Sequence, residues 1–245
     1  MSEANGPDRT ETATGSLIRR AAHSLLVEHG VGGVTLRAIA RKLGITAPAL
    51  YRYYSSHSAL LDHLRRDIST DLAAELSEDI AQLPDDDGLA QFFAVCRGFR
   101  RWALAHPREF ALVFASPTDD APPAAPLAGA TEPFGRVFIS SVGRVLANHE
   151  LAGVSDDVVP AALRQDVATF QAAMLEMLAT QQDTPMAEHR LSLGVAYLMV
   201  QYWTRIYGHV TLEVFGNFPM PVSQPDVLFN AMLADLAHEV GLGPV

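Results

Sequence analysis

The sequence predicts an all-α protein, and three observations carry that prediction. Hydrophobic residues fill 49% of the 245 positions, yet the long alternating β-branched runs that mark half-buried strands are absent. Apolar residues recur instead at three-and-four spacing in one segment after another. Gly or Pro closes those segments, at Gly30, Gly44, Pro84, Pro107 and Pro185. Gly adopts the left-handed cap conformation cheaply, and Pro lacks the N–H that a continuing helix needs.

Residues 1–13 are polar, contain Gly6 and Pro7, and carry Arg9 as their single cation; a disordered arm is expected there. A first helix is predicted over about 14–29, with Leu17, Ala21 and Leu25 in one row, Ile18, Ala22 and Leu26 beside it, and Gly30 as its stop. A second follows Thr35, whose hydroxyl can accept an orphan N–H. Leu36, Ile39, Ala40 and Leu43 form its apolar face and Gly44 its cap. Thr46 is placed to cap a third, short helix with Pro48 near its first turn. Leu50 and Tyr54 point inward, which leaves Thr46, Ala47, Pro48, Ala49, Tyr51, Arg52 and Tyr53 outside. Such a helix, small at its start and then bearing an arginine and phenolic hydroxyls, suits insertion into a DNA major groove.

These residues resemble the DNA-binding domain of the tetracycline-repressor (TetR) family. The resemblance is carried by Leu17-Ile18, Ala22, Leu26, Gly30, Thr35-Leu36, Ile39-Ala40 and Gly44-Ile45-Thr46, and above all by Leu50-Tyr51-Arg52-Tyr53-Tyr54 with Leu60-Leu61. It implies an N-terminal three-helix helix-turn-helix domain over 14–64 and a larger helical ligand-binding and dimerisation domain over 65–245. It also implies that Thr35, Arg37, Thr46, Ala47, Pro48, Ala49, Tyr51, Arg52, Tyr53 and His57 face operator double-stranded DNA. Tyr54 stands where the family usually has Phe. His57 stands where a lysine usually holds a phosphate, and a neutral imidazole would hold it more weakly.

Charge agrees once it is divided. The chain carries −10 overall. Residues 14–66 hold eight basic and two acidic side chains, a local +6, whereas residues 67–245 hold nine and 23, or −14. Phosphate binding follows local charge rather than the total.

The remaining periodicity predicts helices over about 56–83, 89–105, 108–115, 132–149, 160–181, 186–215 and 224–240, with a proline-rich surface loop at 116–126. The helix over 56–83 is long enough to belong to both halves and to act as a lever between them. Large apolar side chains crowd the second half, and part of that set is expected to line a mostly apolar cavity. Phe99, Trp102, Phe138, Met174 and Trp203 are the candidates for contact with an apolar or aromatic small-molecule effector. Arg100, Glu176, Gln201, Tyr202 and Thr204 are candidates for its polar groups. The last two helices are apolar on more than one face, which suggests burial against a second copy as well as the chain's own core. TetR-like proteins pair such helices across a two-fold axis, implying a homodimer with Leu198, Tyr202, Phe229, Met232 and Leu236 at its interface. Residues 202–218 are also similar to the group named for a Trp-His-Gly signature, through Trp203, Gly208, Leu212 and Glu213, although Tyr207 stands where His is usual.

No phosphate-cradling glycine loop or Gly-x-Ser-x-Gly is present, and the nine histidines show no metal-ligand spacing. No enzyme activity, metal or cofactor is expected. The single cysteine, Cys96, excludes an intramolecular disulfide and suits a reducing cytoplasm. No run of 18 apolar residues suggests a membrane span. A ligand-responsive regulator, most simply a repressor on a palindromic operator, is the expected function. A helical binding protein without DNA affinity is the alternative.

Overall fold

A computed structural model describes residues 8–115, 133–149, 151, 154–181 and 190–242, with side chains from residue 14 onward in the first helix. The described residues form ten α-helices, joined by short turns, and contain no strand. The helices are α1 (Asp8–His29), α2 (Leu36–Leu43), α3 (Ala47–Leu50), α4 (His57–Ile80), α5 (Gly88–Ala105), α6 (Pro107–Phe110), α7 (Pro133–Asn148), α8 (Arg164–Gln181), α9 (Leu193–Val214) and α10 (Pro225–Glu239). A π-helical turn, Ala111–Ala115, continues α6. The expected arm over 1–13 falls partly outside the described residues, and α1 occupies positions 8–13. The expected loop over 116–126 lies outside them.

The chain divides into two compact units. The first runs to Ser69 and regains the segment from His106; the second takes Thr70–Ala105 and the remainder.

In the first unit, Ile18, Leu26, Val34, Ile39, Leu50 and Leu60 are completely buried. They are the inward positions that the three-and-four spacing selects. Each contributes about 1.5–3 kcal/mol through burial. Gly30 turns the chain at φ 73°, and its N–H bonds Leu26 O at 2.8 Å. The Thr35 hydroxyl accepts from Ala38 N at 3.1 Å. Gly44 takes the left-handed conformation at φ 67°, and Ile45 N reaches back to Ala40 O at 3.0 Å. One expectation needs correction: the Thr46 side chain makes no capping bond. The backbone closes that turn instead, Ala49 N donating to Thr46 O at 3.0 Å, so the threonine hydroxyl stays uncommitted.

The segment from His106 is fastened to this unit by side chains. Arg65 Nε donates to Leu112 O at 3.2 Å, and Arg108 donates to Val27 O. His23 Nε2 lies 3.4 Å from Oε1 of the buried Glu109, and that pairing is the leading cause holding the Glu109 carboxyl below its ordinary pKa.

In the second unit, α5 and α7 pack at very close range. A Cβ added to Gly88 would stand 2.8 Å from the carbonyl carbon of Arg144. Phe99, Phe134, Phe138 and Trp203 form a continuous aromatic group, with ring centroids 5.0 Å apart for Phe99–Phe134 and 5.1 Å for Phe138–Trp203. A separate apolar cluster on α7, α8 and α9 holds Ile139, Leu146, Val167, Met174, Leu178 and Val195. Arg100 joins α5 to α9 and α10: it makes a two-pronged pair with Glu213, at 2.7 and 2.5 Å, and reaches Asp226 at 2.5 Å.

Candidate nucleic-acid interface

The cap at Thr35 and the turn at Gly44 set α2 and α3 at the angle that exposes one shared face. An open concavity there is lined by Thr35, Leu36, Arg37, Ala47, Pro48, Tyr51 and His57. Six of the ten residues expected to meet DNA are among them. Thr46 and Arg52 are exposed beside it, while Ala49 and Tyr53 are partly buried. Tyr51 is 57% exposed, large for an aromatic side chain.

The electrostatics are narrower than the charge count suggested. Lys42 is tied to Glu28 at 2.8 Å, Arg65 to Asp62 at 2.8 Å and Arg19 to Asp67 at 2.6 Å. Arg37, Arg41 and Arg52 form no ion pair among the described residues. Their charges face solvent uncompensated, as phosphate contacts require.

His57 begins α4, and its Nε2 sits 2.5 Å from the Val34 carbonyl oxygen. A carbonyl only accepts, so that nitrogen carries a proton and the ring is held against the turn before α2. Sequence reasoning did not foresee this bond, nor the use of the Tyr54 hydroxyl, which accepts from Arg19 Nη1 at 3.1 Å and donates toward Gly15 O at 3.4 Å. Neither partner is near in sequence, so periodicity holds no signal for them.

The family model described as bacterial regulatory proteins, tetR family, matches residues 18–64, and one described as tetracyclin repressor-like, C-terminal domain, matches residues 92–236. The HTH-type transcriptional regulator Rv1816 of Mycobacterium tuberculosis is 31% identical over 209 residues, spanning 84% of this chain and 83% of its own. The chain belongs to the TetR family of transcriptional regulators. HTH-type transcriptional regulator Mb1846 of Mycobacterium bovis matches to the same extent. The class A tetracycline repressor protein from transposon 1721 in Escherichia coli is 37% identical over 103 residues, 42% of this chain and 45% of its own. In fold, the chain resembles the crystal structure of SCO4313, with a TM-score of 0.59 and 22% identity over 96% of this chain and 100% of that one. A Rhodococcus sp. RHA1 protein of unknown function gives 0.55 and 18% over 97% and 99%. TetR-family regulators bind DNA and are not a class of enzymes. No helix among the described residues is long and apolar enough to cross a membrane.

The other expected residues distribute as follows. Phe99, Phe138 and Trp203 come together in the aromatic group. Trp102 is buried on α5, and Met174 lies in the separate α7–α8–α9 cluster. Of the polar candidates, Arg100 is occupied by Glu213 and Asp226, and the Tyr202 hydroxyl donates to Leu236 O at 2.8 Å. On the last two helices, Phe229 and Leu236 are turned into the chain's own core, whereas Leu198, Tyr202 and Met232 are partly buried. The apolar residues left exposed there are Val200, Leu212, Phe215, Val227 and Leu228.

Proposed function

We propose that this TetR-family chain is a homodimeric, one-component repressor that binds a palindromic operator and releases it when a small molecule occupies the second unit. The concavity between α2 and α3 carries the reading, because Arg37 and Tyr51 line it, exposed and unpaired, and Arg52 is exposed beside it. Arg52 would reach a phosphate or a base edge, and the Tyr51 and Tyr53 hydroxyls would donate to phosphates. Thr35, Thr46, Ala47, Pro48 and Ala49 would bring the backbone close to the groove. A mobility-shift assay on DNA from upstream of the chain's own gene tests this. A shifted band that competitor DNA of unrelated sequence does not abolish is expected; no shift at low salt would sink it.

The effector would be apolar or aromatic and would lie against Phe99, Phe138 and Trp203, with Trp102 close by in sequence to Phe99; Met174 contributes to a different cluster. Its coupling to DNA binding would be about 1–3 kcal/mol, as is usual between two sites. The kinship of 202–218 with the Trp-His-Gly group, and a cytoplasmic location, belong to the same proposal. The alternative, a helical binding protein without DNA affinity, is favoured by one observation: the Nε2 of His57 is engaged by Val34 O, although the residue is exposed at the concavity. The same mobility-shift assay decides between them.

A further inference from the structure

His57 is fixed at two points. Its backbone opens α4, where the Ser56 hydroxyl accepts from Ala59 N at 3.0 Å. Its ring crosses to the turn before α2, and Nε2 lies 2.5 Å from the carbonyl oxygen of Val34, whose side chain is completely buried. A carbonyl only accepts, so Nε2 keeps its proton whether the imidazole is neutral or charged. Charging the ring therefore leaves this tie in place and changes only Nδ1. Neutral, Nδ1 presents a lone pair, which repels an anion. Protonated, it is a donor on a cation, which binds one. Nδ1 of His57 has no hydrogen-bond partner among the described residues. The side chain is exposed and lines the concavity that Arg37 and Tyr51 also line.

The surroundings decide when Nδ1 takes a proton. Beside His57, the concavity is lined by one charged side chain among the described residues, the Arg37 cation on α2. Tyr51 on α3 and Thr35 before α2 bring hydroxyls. Further along α4, Asp62 is paired with Arg65 at 2.8 Å, and His63 is bound to Ala59 O at 2.8 Å. Among the described residues no carboxylate lines the concavity, so an anion that favours the proton has to arrive with the partner. We infer that operator binding takes up a proton from solvent at Nδ1 of His57, which then donates to a DNA phosphate while Nε2 holds the ring to Val34 O. The coupling is reciprocal: a proton that strengthens phosphate binding is itself held more tightly once the phosphate is there. The inference rests on the proposed DNA-binding reading and gives it a pH dependence lodged in one residue.

Fluorescence anisotropy of the full-length protein with a labelled duplex from upstream of its own gene tests this, between pH 8 and pH 6 at fixed ionic strength. Wild type is expected to bind about tenfold tighter at pH 6 for each His57 that meets a phosphate, because a charge-assisted hydrogen bond is gained. Its salt slope should steepen by about one per contact over the same range. His57→Gln can still donate to Val34 O but gains no charge, so it should match wild type at pH 8 and lack the acid gain. His57→Lys, a cation throughout, should bind more tightly than wild type at pH 8 and also lack the acid gain. A purely structural role for the ring would shift each variant equally at every pH. In the DNA-free protein at pH 8, imidazole nitrogen NMR should show His57 as the Nε2–H tautomer; the Nδ1–H tautomer would overturn the inference. Wild-type binding without an acid gain, or an acid gain that persists in His57→Gln, would refute this inference alone. No binding of the duplex by wild type at pH 6 and low salt would refute the DNA-binding reading and this inference together.

Discussion

The hydroxyl of Tyr54 accepts a hydrogen bond from Nη1 of Arg19 at 3.1 Å, and the same guanidinium pairs with Asp67 at 2.6 Å. One buried phenol thus links α1 to the turn after α3, and Arg19 carries the link on to α4. Tyr54 is 5% exposed and its ring meets His63 edge-on at 5.3 Å. Tyr54→Phe keeps the ring and removes the link, so it should cost about 0.5–1.5 kcal/mol, the net worth of one hydrogen bond. Urea unfolding reads this as a lower midpoint at unchanged slope. A midpoint equal to wild type would mean that Arg19 is held by Asp67 alone.

Local and distant causes explain why some of this was legible and some was not. The Thr35 cap, the Gly44 turn and the inward positions Leu50 and Tyr54 are set by neighbours within a few residues, and all appear as the sequence implies. The Thr46 hydroxyl was misjudged because cap residue type says nothing about which rotamer the turn permits. The charge count over 14–66 treated every cation as available, although Lys42, Arg65 and Arg19 are neutralised by Glu28, Asp62 and Asp67. On α10, Leu228-Met232-Leu236 and Phe229-Leu233 are both rows at helical spacing, so periodicity alone could not say that Leu228 is exposed while Phe229 and Leu233 face the core. Met174 sits among large apolar residues in the chain but packs with a different set in space.

Arg52→Ala and Tyr51→Phe should weaken operator binding while leaving the melting temperature unchanged, because both side chains are exposed and neither is tied within the described structure. Arg52→Ala should cost about 1–3 kcal/mol if it reads a base edge, with relaxed specificity at that position. If it touches only a phosphate, affinity should fall evenly across sequences and the salt slope should shrink by about one. Fluorescence anisotropy at several salt concentrations separates the two. Operator affinity that ignores salt would contradict both.

His209 should make the second unit sensitive to mild acid. Burial leads the causes that hold its imidazole below the ordinary value; Arg100 adds to that and Glu213 opposes it. It lies edge-on to Phe218 and Phe229, at 5.2 and 5.1 Å. A base whose folded pKa is depressed takes up protons more readily when unfolded. Its stability contribution is therefore complete above its unfolded pKa, about 6.5, and is lost as pH falls from there toward the folded value. His209→Gln should lose less stability than wild type between about pH 7 and pH 5. Parallel melting curves for the two proteins across that range would contradict this.

Two recognition helices must meet successive major grooves about 34–36 Å apart, which requires a fixed dimer. On α9, Val200, Thr204, Gly208 and Leu212 follow one another at four-residue intervals, with Phe215 just past the helix end; all but the partly buried Gly208 are exposed. On α10, Val227 and Leu228 are 59% and 42% exposed. A face with small residues at its centre lets helices approach closely. Gly208 has no atom within 4 Å of where a Cβ would stand, so the monomer itself gives no reason for a glycine there. Gly208→Leu should therefore leave a single chain folded but obstruct a partner packed on this face. Val227→Glu should do the same by placing charge in an apolar contact. Both should sediment as folded monomers at micromolar concentration and lose cooperative binding to a palindrome, while Leu236→Glu, at a core position, should fail to fold. If Gly208→Leu and Val227→Glu remain dimers with wild-type operator affinity, the interface lies elsewhere than the exposed faces of α9 and α10.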